Sequence, residues 1–268
     1  MGTAGNELQA KQMNEINGII AIWYREFKVF QREKSRIVAS IVNPILWLLI
    51  FGGGLGASIS ISGINYQTFI FPGILIQAVL FSSVFFGVYI VWDRKIDFLK
   101  EVLVAPISRT SIFIGKIIGG ATDSIIQSII LLVLGAILEK VGLIPGLELT
   151  VLSAAAALVI LFITTTSMVS IGLIIGSRME SPEGFQLITS FLLFPIFFLS
   201  GALFPLNKLP AWLGMLTLID PLTYSVDALR RVILGASQYG LGLDFGVMIG
   251  FTVLVIVFGT YAFEKMKV

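Results

Sequence analysis

The chain has 268 residues, of which 56% are hydrophobic and only 13% are charged. A soluble domain of this size carries roughly 25% charged residues, so the composition excludes an ordinary soluble domain and favours a membrane protein. The net charge of +2 is too small to indicate nucleic acid as a partner. Because the sequence contains no Cys and no His, disulfides, thiolate chemistry and histidine metal sites are excluded.

The first predicted element is an amphipathic helix within residues 1–36, a region that carries many polar and charged residues. Apolar side chains recur there at steps of three and four, at Ile16, Ile19, Ile20, Trp23, Phe27 and Phe30. Polar residues occupy the other side, at Asn17, Arg25, Glu26, Lys28 and Arg32. This pattern, directly before a membrane span, suits a helix in the bilayer interface. The alternative is a soluble helix packed on a partner.

Six apolar segments follow, each long enough to cross the hydrocarbon core, which needs about 20 helical residues. They are residues 37–55, 68–91, 112–138, 151–176, 185–204 and 245–263. The runs are continuous and lack period-two alternation, so they predict helices rather than barrel strands. The sequence therefore predicts an all-α integral membrane protein, with a cytoplasmic N-terminal region (1–36) and a six-helix transmembrane domain (37–268).

The orientation follows from the distribution of Lys and Arg, which are enriched on the cytoplasmic side of membrane proteins. Fourteen of the 18 lie in the N-terminal region, the second-to-third and fourth-to-fifth connections and the C-terminal tail. Only four lie on the opposite side. The asymmetry predicts that both termini are cytoplasmic in a multi-pass protein of the plasma or inner membrane.

The connection between the fifth and sixth spans, residues 205–244, is too apolar for an ordinary loop. Its two apolar stretches, 209–219 and 222–234, are each too short to span. Pro205, Pro210 and Pro221 punctuate them, and proline both starts and breaks helices. We therefore predict a re-entrant hairpin on the outer face over about residues 205–240.

One carboxylate, Asp123, lies deep within a predicted span. An intramembrane carboxylate is costly and indicates a functional site unless a structural partner explains it. Gln127 follows four residues later and Gln77 lies in the second span. Asp123, Gln127 and Gln77 are therefore candidates for a polar substrate path. The alternative is a structural carboxylate that is protonated or hydrogen-bonded to neighbouring helices.

The charged connection after the second span could serve an enzyme or a partner. Asp93 and Asp97 form a D-x-x-x-D pattern that could hold Mg²⁺ on one helix face, as in a membrane prenyltransferase. The second Asp-rich cluster that such enzymes need is missing from that side. The alternating charges of 93–101 are explained more simply by a solvated helix offered to a protein. No metal site is predicted.

Nucleotide hydrolysis by this chain itself is not expected. A P-loop needs the pattern G-x-x-x-x-G-K-[ST], but Gly115-Lys116 is followed by Ile117 and no glycine stands five positions earlier. The chain is therefore predicted to bind no cofactor of its own. If it moves cargo uphill, another subunit must supply the energy.

Two stretches resemble the permease class of ABC exporters that includes daunorubicin-resistance and polysaccharide-export proteins. The first is Trp92-Asp93-Arg94, then Ala105-Pro106-Ile107-Ser108-Arg109, then Gly115-Lys116. The second is Ser200-Gly201, Phe204-Pro205, Leu209-Pro210-Ala211-Trp212, Asp220-Pro221-Leu222-Thr223-Tyr224 and Asp227-Ala228-Leu229-Arg230. Relatives often carry Asn where this chain has Asp220. The likeness covers residues 15–268.

The resemblance implies a non-enzymatic transport subunit that works as a homodimer, or with a paralogous permease, on two cytoplasmic ATPase subunits. ATP and Mg²⁺ would bind those partners. The segment of about 93–101 would be the coupling helix, with Asp93, Arg94, Lys95, Asp97, Phe98, Leu99, Lys100 and Glu101. The external motif would comprise Pro205, Pro210, Trp212, Asp220, Pro221, Asp227 and Arg230.

The low fixed charge of the spans favours export of a hydrophobic or amphipathic, drug-like or lipid cargo. A polysaccharide or an ion is the alternative cargo within the same class. The alternative from another class is the prenyltransferase-like enzyme that would use Asp93 and Asp97.

Overall fold

The computed structural model of the protein describes residues 2–56, 59–61, 63–104, 106–147 and 149–266. Ala105 of the first motif therefore lies outside the described residues, as does the side chain of Lys100. The helices are α1 (Gly2–Arg32), α2 (Lys34–Trp47), α3 (Gly53–Gly56), α4 (Tyr66–Phe85), α5 (Val88–Lys95), α6 (Phe98–Val104), α7 (Arg109–Lys140), α8 (Val151–Arg178), α9 (Pro182–Leu199), α10 (Ala211–Ile219), α11 (Pro221–Leu234) and α12 (Leu241–Glu264).

Short elements complete the described chain. A π-helical turn, Leu48–Gly52, joins α2 to α3, and a 3₁₀ turn, Leu206–Lys208, precedes α10. Two-residue strands, β1 (Ser60–Ile61) and β2 (Ile64–Asn65), pair antiparallel, with Ser60 opposite Asn65. Helix dominates because only internally bonded backbone is stable in lipid.

Within the described residues, six helical stretches are long and apolar enough to cross a membrane, which confirms the predicted all-α membrane fold. They are Lys34–Gly56, Tyr66–Lys95, Arg109–Lys140, Val151–Arg178, Pro182–Leu199 and Leu241–Glu264. The fifth ends five residues earlier than predicted, because the chain turns after Leu199 and Gly201 takes a left-handed φ of 74°. A glycine there adopts this conformation at no steric cost.

Helix α4 forms the centre of the bundle and is buried on nearly every face, against α7, α8, α9 and α11. Close packing with α8 depends on glycine. A Cβ at Gly172 would lie 2.2 Å from the carbonyl oxygen of Val84, and one at Gly87 would lie 2.0 Å from that of Gly172. The two backbones thus touch directly, as small residues allow between membrane helices.

Because the spans alternate in direction, the connections collect at two ends of the bundle. We call one the α1 end; it carries α1, α6 and the connection between α8 and α9. We call the other the hairpin end; it carries the two strands, α10 and α11. The predicted cytoplasmic and outer sides correspond to the α1 end and the hairpin end.

Helix α1 confirms the predicted N-terminal helix and packs along α7. Glycines of α7 make room for it, since a Cβ at Gly115 would lie 2.8 Å from Ile22. The apolar stripe is only partly used in this contact, because Ile16 and Ile20 remain more than half exposed. One side of α1 therefore packs on the protein, and an adjacent apolar side is exposed. The location of α1 in the bilayer interface stays a prediction.

The apolar stretches between the fifth and sixth spans form the helix pair α10 and α11. Helix α11 is amphipathic and packs among α4, α8 and α12 with most of its residues buried. Helix α10 is more exposed, with Trp212 at 65%. Pro221 is the first residue of α11, where its missing N–H costs nothing. The two short helices match the two apolar stretches of the sequence, whereas the re-entrant path and the outer location stay predictions.

Candidate functional site

The segment predicted as one rigid coupling helix, 93–101, is broken in the middle. Helix α5 ends at Lys95 and α6 begins at Phe98. Between them Asp97 takes a φ of 58°, the only positive φ of a non-glycine residue in the described chain. Aspartate tolerates this left-handed conformation better than most residues. The prediction of a continuous helix is therefore wrong, and the segment is a corner between two short helices.

A buried charge cluster fixes this corner to the bundle. The Nζ of Lys116 lies 2.8 Å from a carboxylate oxygen of Glu26 and 2.8 Å from one of Asp93. Arg25 donates to both carboxylate oxygens of Asp93. The two cations and two anions balance, and they join α1, α5 and α7. Such a cluster is tolerated only because each charge has a partner, and removing one leaves another buried and unpaired.

The electrostatics of Arg25 reflect this arrangement. Burial alone would lower the pKa of its guanidinium. The hydrogen bond and charge of Asp93, with the charge of Glu26, outweigh burial and raise that pKa. The cation therefore stays charged over the whole physiological range, and the guanidinium also lies 4.2 Å above the ring of Phe98 in α6.

Two sequence-based interpretations of Asp93 are wrong. Asp93 is only 4% exposed and both its oxygens accept from cations, so it is not part of a solvated docking face. Asp97 lies beyond the end of α5, so the two carboxylates do not share a helix face. The Mg²⁺ site of the enzyme alternative requires both carboxylates with free oxygens, and this geometry excludes that use of them.

Further contacts hold the corner. Arg94 donates to the carbonyl oxygens of Ser177 and Met179, both at 2.8 Å, and so caps the end of α8. Leu99 is 1% exposed and packs in the core at the α1 end. Leu99 was predicted as a docking residue and is instead internal. Among the described side chains of the corner, the exposed ones are those of Trp92, Lys95, Ile96, Asp97, Glu101 and Val104.

The predicted intramembrane polar residues belong to one region between α2, α4 and α7. Asp123 is 2% exposed, and neither of its oxygens has a hydrogen-bond partner. One of them lies 3.9 Å from the guanidinium of Arg36. Arg36 in turn contacts Tyr89, which donates to Glu33. Asp123 is thus buried inside the bundle, as predicted. The cation nearest to it is Arg36, at the start of the first span.

A cavity of about 260 Å³ lies beside this group; we call it the span cavity. Its polar lining residues are Arg36, Ser40, Asn43, Gln77, Ser82 and Gln127, and its apolar ones are Ala39, Pro44, Ala78, Phe81 and Phe85. Gln127 donates to the carbonyl oxygen of Ser40, whereas the buried Oε1 of Gln77 has no partner. The structure thus places Gln77 and Gln127 on the wall of one cavity. Asp123 does not line this cavity but contacts Arg36, which does.

At the hairpin end, the two predicted aspartates act as local caps. Asp220 precedes α11 and accepts from the backbone N–H of Leu222 at 3.0 Å. Burial raises the pKa of Asp220 to about 7, although this hydrogen bond lowers it in part. Asp227 accepts from the backbone N–H groups of Gln238 and Tyr239 and so closes the turn after α11.

The remaining motif residues of this end have separate positions. Arg230 is 7% exposed, and burial lowers the pKa of its guanidinium to about 10, an effect that the charge of Asp227 partly offsets. Pro205 precedes the 3₁₀ turn and Pro210 precedes α10. The motif residues therefore mark the N-termini of α10 and α11 and include one buried cation, Arg230.

Sequence reasoning missed the role of two members of the charge cluster. Lys116 was noted only as part of a Gly-Lys motif, and Glu26 was placed on the polar side of α1; it is 1% exposed. A signal existed, since Glu26 follows Ile22 by four residues and therefore shares its helix face. The pairing of Glu26 with Lys116 has no local signature, because the two residues are 90 positions apart in the sequence.

The fold is that of an all-α, multi-pass membrane protein, and the sequence carries no P-loop pattern. The sequence model of the ABC-2 type transporter family matches residues 17–234. The chain therefore belongs to this family of ABC transporter permeases. It is a non-enzymatic membrane subunit, and membership of the family implies a partner ABC ATPase subunit.

Similar proteins are named as transport permeases or by a biological process. The chain is 31% identical over 220 residues to a transport permease named ycf38 from Cyanophora paradoxa, covering 80% of this chain and 73% of that one. It is 25% identical over 239 residues to nodulation protein J of Rhizobium meliloti, covering 88% of each. It is 26% identical over 241 residues to the inner membrane transport permease YadH of Escherichia coli, covering 87% and 89%.

Proposed function

We propose that this chain is the permease of an ATP-driven exporter for a hydrophobic or amphipathic cargo, drug-like or lipid. The observation that carries the proposal is the span cavity, about 260 Å³ in volume. Five of its eleven lining residues are aromatic or aliphatic, and the other six offer amides, hydroxyls and the cation of Arg36. A mixed lining of this kind suits a molecule with an apolar body and a few polar groups.

The unpartnered Oε1 of Gln77 supports a ligand with a hydrogen-bond donor. A buried acceptor without a partner costs about 1–3 kcal/mol, and a hydroxyl or amide of the cargo would remove that cost. Arg36 also favours a cargo with an electronegative group. Polysaccharide or ion export within the same family is the alternative; the many apolar lining residues favour the amphipathic cargo over an ion.

The energy for export would come from a cytoplasmic ABC ATPase that binds ATP and Mg²⁺, present in two copies with two permease subunits. We place its docking surface on the corner between α5 and α6. Trp92 and Ile96 are exposed by 47% and 66% there, beside exposed charges. Interface energy concentrates in a few apolar and aromatic anchors. Asp93, Arg94 and Leu99 would transmit the motion, because they hold the corner to α1, α7 and α8.

A homodimer, or a pair with a paralogous permease, would complete the transporter. Helix α9 offers a contact face, since Leu187 and Phe191 are exposed by 73% and 84% and lie one turn apart. In the proposed orientation the α1 end is cytoplasmic, as the excess of Lys and Arg there indicates. The name of the Escherichia coli relative supports the inner or plasma membrane as the location.

Co-purification with the partner ABC ATPase subunit that family membership implies tests the proposal. The double variant Trp92→Ala with Ile96→Ala should reduce ATPase recovery about tenfold or more, as the loss of two interface anchors does. The control is Trp212→Ala with Met215→Ala, which removes two exposed apolar side chains of α10 at the hairpin end. Equal recovery of the ATPase by both variants would contradict the docking surface.

The cargo class is tested in proteoliposomes that contain the permease and the ATPase. We expect amphipathic drug-like compounds or lipids to stimulate ATP hydrolysis, and Gln77→Leu to reduce that stimulation without changing basal hydrolysis. Stimulation by an oligosaccharide or an ion alone would favour the alternative cargo.

A further inference from the structure

Arg230 is a deeply buried cation at the hairpin end with few partners. Its side chain is 7% exposed, and its guanidinium lies 4.0 Å above the ring of Phe69. It donates to the carbonyl oxygen of Gly201 at 3.0 Å. A guanidinium has five N–H donors, and within the described chain this is the one hydrogen bond that it makes.

A carboxylate does not neutralise this cation at close range. Among the described residues, no carboxylate oxygen lies within 4.0 Å of the guanidinium, and the buried Nε has no hydrogen-bond partner. Asp227 stands one turn earlier on α11, but its oxygens accept three bonds from the backbone N–H groups of Gln238 and Tyr239. Buried charges are normally paired, because an unpaired one is costly.

Arg230 lines a cavity of about 340 Å³, which we call the hairpin-end cavity. One part of its lining is polar, with Asn207, Asp227, Arg230, Ser237 and Gln238. The other part is apolar, with Ile61, Ile64, Phe69, Pro205, Leu206 and Ala236. It lies between β1, β2, the 3₁₀ turn and the turn after α11, at the opposite end of the bundle from the charge cluster.

We propose that the hairpin-end cavity binds an oxyanion, a phosphate or a carboxylate group, with Arg230 as its main contact. The planar guanidinium matches such groups through two parallel N–H···O bonds. The amide side chains of Asn207 and Gln238 can donate further bonds, and the apolar wall can accept the first methylenes of an acyl chain. Asp227 does not oppose this binding strongly, since the backbone N–H groups of Gln238 and Tyr239 already donate to its carboxylate.

The inference does not depend on the proposed transport function, because binding can be measured without ATPase or cargo. Two sources of the oxyanion are possible, a free anion or a lipid headgroup. In the first arm, the purified protein in neutral detergent is titrated calorimetrically with inorganic phosphate. In the second arm, nanodiscs of phosphatidylcholine with or without phosphatidic acid are compared, with bound lipid counted by native mass spectrometry.

Matched variants separate a specific site from general attraction. Arg230→Gln should weaken binding about tenfold or more, because hydrogen bonds between charged groups are the strong ones. Arg230→Lys should weaken it less, since the charge remains. Lys208→Gln removes an exposed cation from the same end and should change binding less than twofold. If phosphate binding depends on Arg230, the site takes a free anion. If only phosphatidic acid binding depends on Arg230, the site takes a lipid headgroup.

A protection experiment covers the case in which Arg230→Gln fails to fold. The chain has no Cys, so Ser237→Cys places one thiol on the cavity and Ala211→Cys places one outside it. Phosphate or phosphatidic acid should slow alkylation at position 237 about threefold or more and leave position 211 unchanged. The inference is overturned if neither ligand binds or protects, or if Arg230→Gln binds as well as the unmodified protein.

Discussion

Lys116 and Asp93, 23 residues apart in the sequence, meet in a buried ion pair of 2.8 Å. Because Lys116 also contacts Glu26 at 2.8 Å, one ammonium group joins the third span, the end of the second and the N-terminal helix. The corner between α5 and α6 can therefore move only together with α1 and α7, unless these ion pairs break. In the proposed exporter, this arrangement would carry motion from the ATPase directly into two transmembrane helices.

The first prediction concerns that cation. Lys116→Met should lower the free energy of unfolding by about 3–5 kcal/mol, because Glu26 and Asp93 would stay buried with one cation fewer. The measurement is denaturant unfolding in detergent. Lys140→Met, an exposed position on the same helix, should change little. Adding Asp93→Asn to Lys116→Met restores the charge balance and should recover part of the loss. An unchanged stability of Lys116→Met would show that the cluster contributes nothing.

The sequence was sufficient to predict the six spans, because each depends on apolar length alone. The same holds for α10 and α11, whose lengths and flanking prolines are local properties. The broken corner at Asp97 was not predictable, since no Gly or Pro marks it and burial of Leu99 decides the path of the chain. Arg36 as the partner of Asp123 was missed for a related reason: the pair depends on how α2 packs on α7.

The second prediction concerns the glycine contact between α4 and α8. Gly172→Ala would place a Cβ 2.2 Å from the carbonyl oxygen of Val84. Backbone cannot move aside as a flexible side chain can, so we expect a loss of about 1–3 kcal/mol or more. Gly250→Ala in α12 is the matched control, because nothing lies within 4 Å of its added Cβ. Thermal unfolding of both variants in detergent gives the comparison, and equal midpoints would contradict the tight contact.

The third prediction concerns pH and Asp220. Its folded-state pKa of about 7 lies above the ordinary value of 3.8, so the folded protein binds the proton more tightly than the unfolded chain. The resulting stabilisation is complete below about pH 4 and is lost as pH rises through about 7. Asp220→Asn mimics the protonated form and keeps a good N-cap.

Thermal midpoints of the protein and of Asp220→Asn, measured at pH 5 and pH 8, test this linkage. The unmodified chain should lose more stability between the two values than the variant does. A variant with an undiminished pH dependence would show that Asp220 is not the titrating group.

The fourth prediction concerns Asp123 and the span cavity. Asp123→Asn replaces the carboxyl group that faces Arg36 and should lower transport about fivefold, the effect of about 1 kcal/mol on a rate. Association with the ATPase should be unchanged, because the docking corner lies elsewhere. The control is Asp244→Asn, which also replaces a buried carboxyl group without hydrogen-bond partners, but one that lies in α12 and does not pair with Arg36. Equal transport by the two variants would assign Asp123 a structural role.

The last prediction concerns orientation, which the excess of Lys and Arg at the α1 end motivates. Single cysteines in this cysteine-free chain can report it with an impermeant thiol reagent applied to intact cells. Ser237→Cys at the hairpin end should react, and Ser35→Cys and Glu180→Cys at the α1 end should not. All three positions are exposed, so burial cannot account for a difference, whereas Ser181 caps α9 and is less suitable.

Permeabilised cells supply the control for accessibility, since all three cysteines should then react. Labelling of Glu180→Cys from outside in intact cells would contradict the orientation, and with it the position of the docking corner. If cysteines at both ends of one predicted span reacted in intact cells, that helix would not cross the membrane. The positive-inside bias acts mainly through residues close to the span ends, and Arg25, Lys28, Arg32, Lys34 and Arg36 are of that kind. For this reason we expect one orientation rather than a mixture.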